Sequence, residues 1–269
     1  MVWVWIPVTL VAVPAVALVA LWLVGERGHG LGLPSTRAAL KGNGAGAPAR
    51  QLDLNAVHAY FYARWTSQYI GFARKVLLPL MGPKDKQRWA DHYHGKVVPP
   101  ELAQAITTLN HDIPRTDLEQ IIPYPAARDI VLSGPPDVTI YECGCRLSKK
   151  NHCEPTMVRM VIGDASFVLD HTPQSARRIT QQEALDLLRA EHTRGHVHTA
   201  HFKDVCNNQF YALCNCCPCC CGGLEAMRRG VPMVAASGYV AQVNEEACLG
   251  CGDCEAACPF GAITVSYAA

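Results

Sequence analysis

The sequence predicts an α+β protein with an N-terminal transmembrane helix. Three observations carry that reading. An uncharged apolar run, Val2 to Val24, opens the chain. A stretch of helical periodicity follows a Gly- and Ala-rich tether. The C-terminal half then mixes short β-branched runs with one well-marked helix, and it holds all 14 cysteines. The predicted order is anchor, helical region and a small α+β body that ends in a cysteine loop.

The opening run spans residues 1–24. At 1.5 Å per residue it is long enough to cross a ~30 Å hydrocarbon core. Trp3, Trp5 and Trp22 stand near its ends, where amphipathic rings favour the interface. No Lys or Arg precedes the run, and it exceeds a signal-peptide core, so it reads as an uncleaved anchor. Arg27, Arg37, Lys41 and Arg50 all follow it. The positive-inside tendency then places the body in the cytoplasm. With no histidine and no ionisable residue, the helix offers neither haem ligands nor a proton path.

Residues 25–50, with GNGAGAPA at their centre, read as a flexible tether. Residues 51–136 read as mainly helical. Asp53 or Asn55 is placed to cap a helix running towards Leu80. Tyr60, Phe61, Trp65, Tyr69, Phe72, Val76 and Leu80 fall on one stripe and predict a packed face. A second helix is expected from Pro83 to Tyr93, and a third from Pro99–Pro100 through Leu109. His92 and His94 are expected at the surface. The proline-rich segment Pro114 to Pro136 reads as irregular.

Residues 137–213 form the expected α+β domain. DVTIY, Asp137 to Tyr141, alternates like a strand. Val158 to Asp170 reads as a hairpin turning at Gly163–Asp164. Thr180-x-x-Glu183 is a capping box, so a helix is expected from about Gln181 to Thr193, with Gly195 as its stop. Val197 to Phe202 reads as a short strand. His196 and His198 would share one of its faces and His201 the other, each solvated.

Composition narrows the chemistry. A formal net charge of +1 provides no basic field for nucleic acid. There is no G-x-G-x-x-G fingerprint, P-loop, nucleophile elbow or C-x3-C-x2-C run. The cysteines cluster between Cys143 and Cys258, which argues for metal rather than for a disulfide framework.

Cys248, Cys251, Cys254 and Cys258 follow C-x2-C-x2-C-x3-C, with Pro259 next. This spacing suits a cuboidal iron–sulfur cluster. A zinc knuckle would use two separated pairs instead. Gly250 and Gly252 permit the loop to bend. Val240 to Val243 and Phe260 to Val265 read as flanking strands. Tyr239 to Val265 resembles the ferredoxin-type 4Fe–4S domain, which implies low-potential electron transfer and a ferredoxin-like domain over residues 214–269.

A second group lies in CNCCPCCC, Cys214 to Cys221. Cys214, Cys217 and Cys220 repeat the C-x2-C-x2-C spacing, but position 224 is Leu224. Cys221, Cys216 or Cys219 is left as a replacement ligand. In the crossed ferredoxin arrangement Cys258 would complete this second cluster. Cys219 falls outside the spacing and is expected to matter less. A third group comprises Cys143, Cys145, Cys153 and Cys206, with Gly144 permitting a bend and Arg146, Lys149 and Lys150 offsetting charge. It is a candidate third cluster. C-x-C-R, a further cysteine and C-N-C-C ahead of a ferredoxin motif resembles a poorly characterised group of microbial 4Fe–4S proteins. That resemblance covers Asp137 to Val265 and implies a multi-cluster electron-transfer module.

The expected function is thus a membrane-anchored carrier of two or three 4Fe–4S clusters, serving a redox protein partner. The alternative is an iron–sulfur sensor or a regulatory subunit of a membrane oxidoreductase. No helix-turn-helix signal or basic stripe favours DNA.

Overall fold

A seven-stranded sheet organises the body, in the order β4-β2-β3-β6-β5-β1-β7. The computed structural model describes residues 12–17, 19–20, 61–62, 64–108, 137–162, 169–170, 175–203, 209–258 and 260–266. The strands are β1 Tyr93–Val97, β2 Val138–Glu142, β3 Met157–Ile162, β4 Ala176–Ile179, β5 Val197–Lys203, β6 Gln209–Cys216 and β7 Val234–Ala235. Every pairing is antiparallel except β1 with β7. Mixed helix and sheet thus bears out the α+β class. The tether, Asp53 and Asn55, the Pro114–Pro136 segment, Gly163–Asp164, Cys206 and Pro259 lie outside the described residues.

Of the apolar N-terminal run, residues 12–17 and 19–20 are helical, and Val13, Val16 and Val19 are exposed. Among the described residues, no helix is long and apolar enough to cross a membrane.

The helices are α1 Thr66–Phe72, a π turn at Ala73–Leu77, α2 Leu78–Leu80, α3 Pro83–His92, α4 Pro100–Thr108, α5 Gly144–Leu147, α6 Gln181–Thr193, α7 Gly222–Arg228 and α8 Asp253–Ala257. The capping box at α6 forms as its residues dictate. Thr180 Oγ1 accepts from the Glu183 amide, and the Thr180 amide donates to Glu183 Oε2 at 2.9 Å. At the other end Gly195 takes a positive φ of 75°. His196 N then reaches Glu191 O and Gly195 N reaches His192 O, which closes a Schellman stop.

Side-chain alternation gives the sheet two distinct faces. One carries Val138, Met160, Ile162, Ala200 and Leu213 against Val98, Ala103 and Ile106 around α4 and Ala184 and Leu188 of α6. This is the apolar core. The other carries Tyr141, Arg159, Val161, Thr199, His201, Ala212, Cys214 and Cys216, with Tyr62 and Tyr69 packed nearby. The first face makes the fold stable; the second gathers the cysteines.

Several expectations are corrected. On the first long helix, Phe61, Phe72, Val76 and Leu80 are exposed, while Tyr62, Thr66, Ala73, Arg74 and Leu78 are buried. The inward stripe follows the i, i+4 series Tyr62, Thr66, Ile70, Arg74 and Leu78 and is already set before the π turn at Ala73–Leu77. Tyr93 starts β1 instead of ending α3, and His94 is buried on that strand. The hairpin expected over Val158 to Asp170 falls partly outside the described residues, which stop at 162 and resume at 169. β3 pairs with β2 and β6, and Leu169–Asp170 are helical. Residues 240–243 and 260–265 form no strand, since Tyr239, Val240, Val243 and Phe260 are exposed and a lone short pair has no layer to pack on. His198 and His201 are each 2 % exposed, because β5 lies inside the sheet with both faces covered.

Candidate metal centres

The cysteine-rich segment changes geometry part-way along. Cys214, Asn215 and Cys216 end β6, so Cys214 and Cys216 point to the same face and Asn215 to the other. Residues 218–220 then turn, and α7 begins at Gly222. Three cysteines that share an i, i+3, i+6 spacing are thereby divided. Cys214 goes with the strand, and Cys217 and Cys220 go with the turn.

The inner group lies on the second face of the sheet. Cys216 Sγ and Cys221 Sγ are 3.2 Å apart. Cys221 also contacts Cys145, which contacts Cys143. These four thiols form a chain of contacts, with Cys214 close enough to perturb both Cys143 and Cys145. α5 delivers Cys145, and Gly144 lets it approach the first helix. A Cβ on Gly144 would stand 2.6 Å from Thr66 Cγ2. The requirement at Gly144 is therefore close packing, not the backbone bend expected from sequence. Gly222 plays a similar part beside Cys145, whose Sγ would lie 3.4 Å from an added Cβ.

Charge is distributed unevenly within this group. The hydrogen bond from Cys221 holds the Cys216 thiol down at about 5, against the effect of burial, and His201 and Thr199 add to it. Hydrogen bonds from Cys143 and Cys221 hold Cys145 well below the ordinary thiol value, with Arg159 and Arg74 contributing. Burial pushes Cys214 up to about 12. The pocket thus favours thiolate at two positions and carries its own cations.

The outer group is Cys153, Cys217, Cys219 and Cys220. Their four sulfurs all lie within 4.8 Å of one another. Cys153 and Cys217 are 3.3 Å apart, and Cys219 and Cys220 are 3.5 Å apart. Cys153 was expected with Cys143 and Cys145 but joins the turn instead. Cys219, which the spacing set aside, is a full member. Burial raises Cys217 to about 11 and raises Cys153 further.

Arg146 and Arg74 take roles that the sequence did not distinguish. Arg146 is fully buried and pairs with Glu191 Oε2 of α6 at 2.9 Å. It also donates to the Pro155 carbonyl. Its main partner is therefore a carboxylate rather than the thiols. Arg74, on the π turn, donates to Cys145 O at 3.1 Å and to Cys220 O, and pairs with Glu225. It touches the backbone of both thiol groups. Its signal in the sequence was the i, i+4 series Tyr62, Thr66, Ile70, Arg74, which places one guanidinium on a helix face that turns inward.

The last four cysteines stand in an exposed loop. Gly250 and Gly252 take φ values of 66° and 82°, and Gly252 caps α8, which carries Cys254. Cys258 follows the helix, and its Sγ accepts a hydrogen bond from Ala262 N at 3.3 Å. That amide and those of Phe260, Ile263 and Gly261 hold the Cys258 thiol below its ordinary value. Left-handed glycines, a short helix and amides aimed at sulfur are what a loop wrapping an anionic inorganic core requires. Residues 240–263 match the family model of the 4Fe-4S binding domain. No curated protein and no solved structure matches the chain. The ferredoxin-type resemblance is thus borne out for the C-terminal segment, and the protein holds at least one 4Fe–4S cluster. In the 4Fe-4S binding domain, Cys248, Cys251, Cys254 and Cys258 are the residues that would supply the thiolates, and the amides near Ala262 would stabilise the negative charge at Cys258. Bound there, the cluster supplies one-electron redox chemistry.

Proposed function

We propose that the protein is a membrane-anchored iron–sulfur electron-transfer protein, moving single electrons between redox partners. The observation that carries this is the 4Fe-4S binding domain itself, with its loop exposed to approaching partners. We assign a second cluster to the inner group, Cys143, Cys145, Cys216 and Cys221 with Cys214 beside them. The contacts there run as an open chain from Cys143 through Cys145 and Cys221 to Cys216, with no three of these sulfurs mutually within 4.8 Å, and an inorganic core would part the touching pairs. Arg74, Arg159 and His201 offset its charge. The uncharged run Val2 to Val24 supports an anchor, and the basic residues after it support a cytoplasmic body. The partner is a redox protein, not nucleic acid.

Anaerobic purification followed by iron and labile-sulfide analysis tests the reading. Two cubanes predict about eight sulfides per chain, with reduced-cluster EPR signals. Cys251→Ala should remove about four of them, because a ligand loss destroys the cluster it serves. Absence of labile sulfide would refute the proposal. Alkaline phosphatase activity from a fusion at Ala269 would refute the cytoplasmic orientation.

A further inference from the structure

The outer thiol group has a geometry that a cubane does not share. One ion with ~2.3 Å metal–sulfur bonds and tetrahedral angles sets its sulfurs ~3.8 Å apart. Thiolates on four separate iron corners of a cubane stand roughly 6 Å apart. In Cys153, Cys217, Cys219 and Cys220 every sulfur pair lies within 4.8 Å, and two pairs are at 3.3 and 3.5 Å. That closeness of all four sulfurs is nearer the spacing of a single tetrahedral ion than that of a cubane, and no three sulfurs of the inner group share it. We infer that these four cysteines bind a single tetrahedral thiophilic ion, of the zinc or ferrous iron class.

The surrounding chain independently prepares the turn for such a ligand. Three successive carbonyls are each held by a different cation. Arg228 Nη2 donates to Pro218 O at 3.1 Å, Lys149 Nζ to Cys219 O at 2.6 Å, and Arg74 to Cys220 O. With its carbonyls drawn outward, the turn is fixed in the shape that brings its three sulfurs together. Cys153 closes the fourth corner from the loop before β3. Binding converts four thiols and one divalent ion into a tetrathiolate complex of charge −2 and releases four protons. No oxidant or reductant is required. Lys149, Arg228, Arg74 and Arg146 oppose that charge. Glu225, which pairs with Arg74 at 3.1 Å and Lys149 at 3.7 Å, tempers them.

This site is separate in composition from the two clusters proposed above, since a lone ion contributes no sulfide. The test uses the full chain, purified anaerobically, with zinc, iron and labile sulfide counted together. Cys219→Ser is the mildest variant, because Cys219 is the exposed corner. Cys153→Ser is the second, drawn from a different segment. Each should lose about one zinc or iron per chain and no sulfide, with the EPR signals of the 4Fe-4S binding domain unchanged. Zinc and iron are distinguished by the same elemental analysis. Loss of four irons with four sulfides would overturn the inference in favour of a cubane. Retention of all metal, or a Cys153–Cys217 disulfide in the anaerobic wild type, would overturn it as well. A wild type without labile sulfide that still loses one ion on Cys219→Ser would sink the electron-transfer reading alone.

Discussion

Replacing Glu191 with leucine should leave Arg146 buried without its carboxylate. Both side chains are almost fully enclosed, and the pair is 2.9 Å long. Breaking such a pair from one side costs about 3–5 kcal/mol, because the remaining charge stays desolvated. Arg146 keeps its bond to Pro155 O and a longer one to Asn215 O, so the lower end of that range is expected. The opposite truncation, Arg146→Met, should cost less. Glu191 would still hold Arg194 at 2.7 Å and His196 at 2.6 Å. In the double variant neither charge of the pair is orphaned by the other. Its loss should therefore be smaller than the sum of the two single losses. Urea unfolding under anaerobic conditions, followed by far-ultraviolet circular dichroism, reads all four proteins. Glu191→Leu within about 1 kcal/mol of wild type would refute the reasoning, given that range for a broken buried pair. So would strict additivity, which shows that two groups do not interact.

Two further outcomes follow from local geometry. Gly95→Ala would place a Cβ 2.7 Å from the His201 ring, so the variant should lose about 1–3 kcal/mol and disturb the hydrogen bond that His201 makes to Cys216, visible as reduced iron content. At α6, the Thr180 amide and then Arg177 hold the Glu183 carboxyl below its ordinary value. A depressed carboxyl contributes stability that is full above the unfolded value of about 4.3 and is lost as pH falls through the lower folded one. The stability difference between wild type and Glu183→Gln should accordingly shrink in that acid window, and a difference independent of pH would contradict the assignment.

Legibility varied with how local the determining physics was. α6 was readable to the residue because Thr180, Glu183 and Gly195 satisfy backbone groups within a few positions of themselves. β2 and the start of α4 were readable from alternation and from Pro100. β1 was not, since YHGKV contains a glycine, a lysine and one β-branched residue, and it becomes a strand only through β5 and β7. β4 escaped for a related reason: Arg177 and Arg178 make it a charged edge, which suits an edge strand but hides it from an apolar pattern. The C-terminal loop announced its chemistry through spacing alone. In CNCCPCCC the spacing misled, because a strand with period two runs into a turn between Cys216 and Cys217. Cys153 could be assigned to that turn only from three-dimensional proximity, and Glu191 had no local mark at all.

Adjacent residues divide between the two body thiol groups at both ends of the turn. Cys216 belongs to the inner group and its neighbour Cys217 to the outer one, and Cys220 belongs to the outer group while its neighbour Cys221 belongs to the inner one. One peptide plane therefore joins the groups at each end. A shift of the whole turn would carry sulfurs of both groups, whereas a change at a single side chain such as Cys219 leaves the shared backbone, and with it the other group, in place.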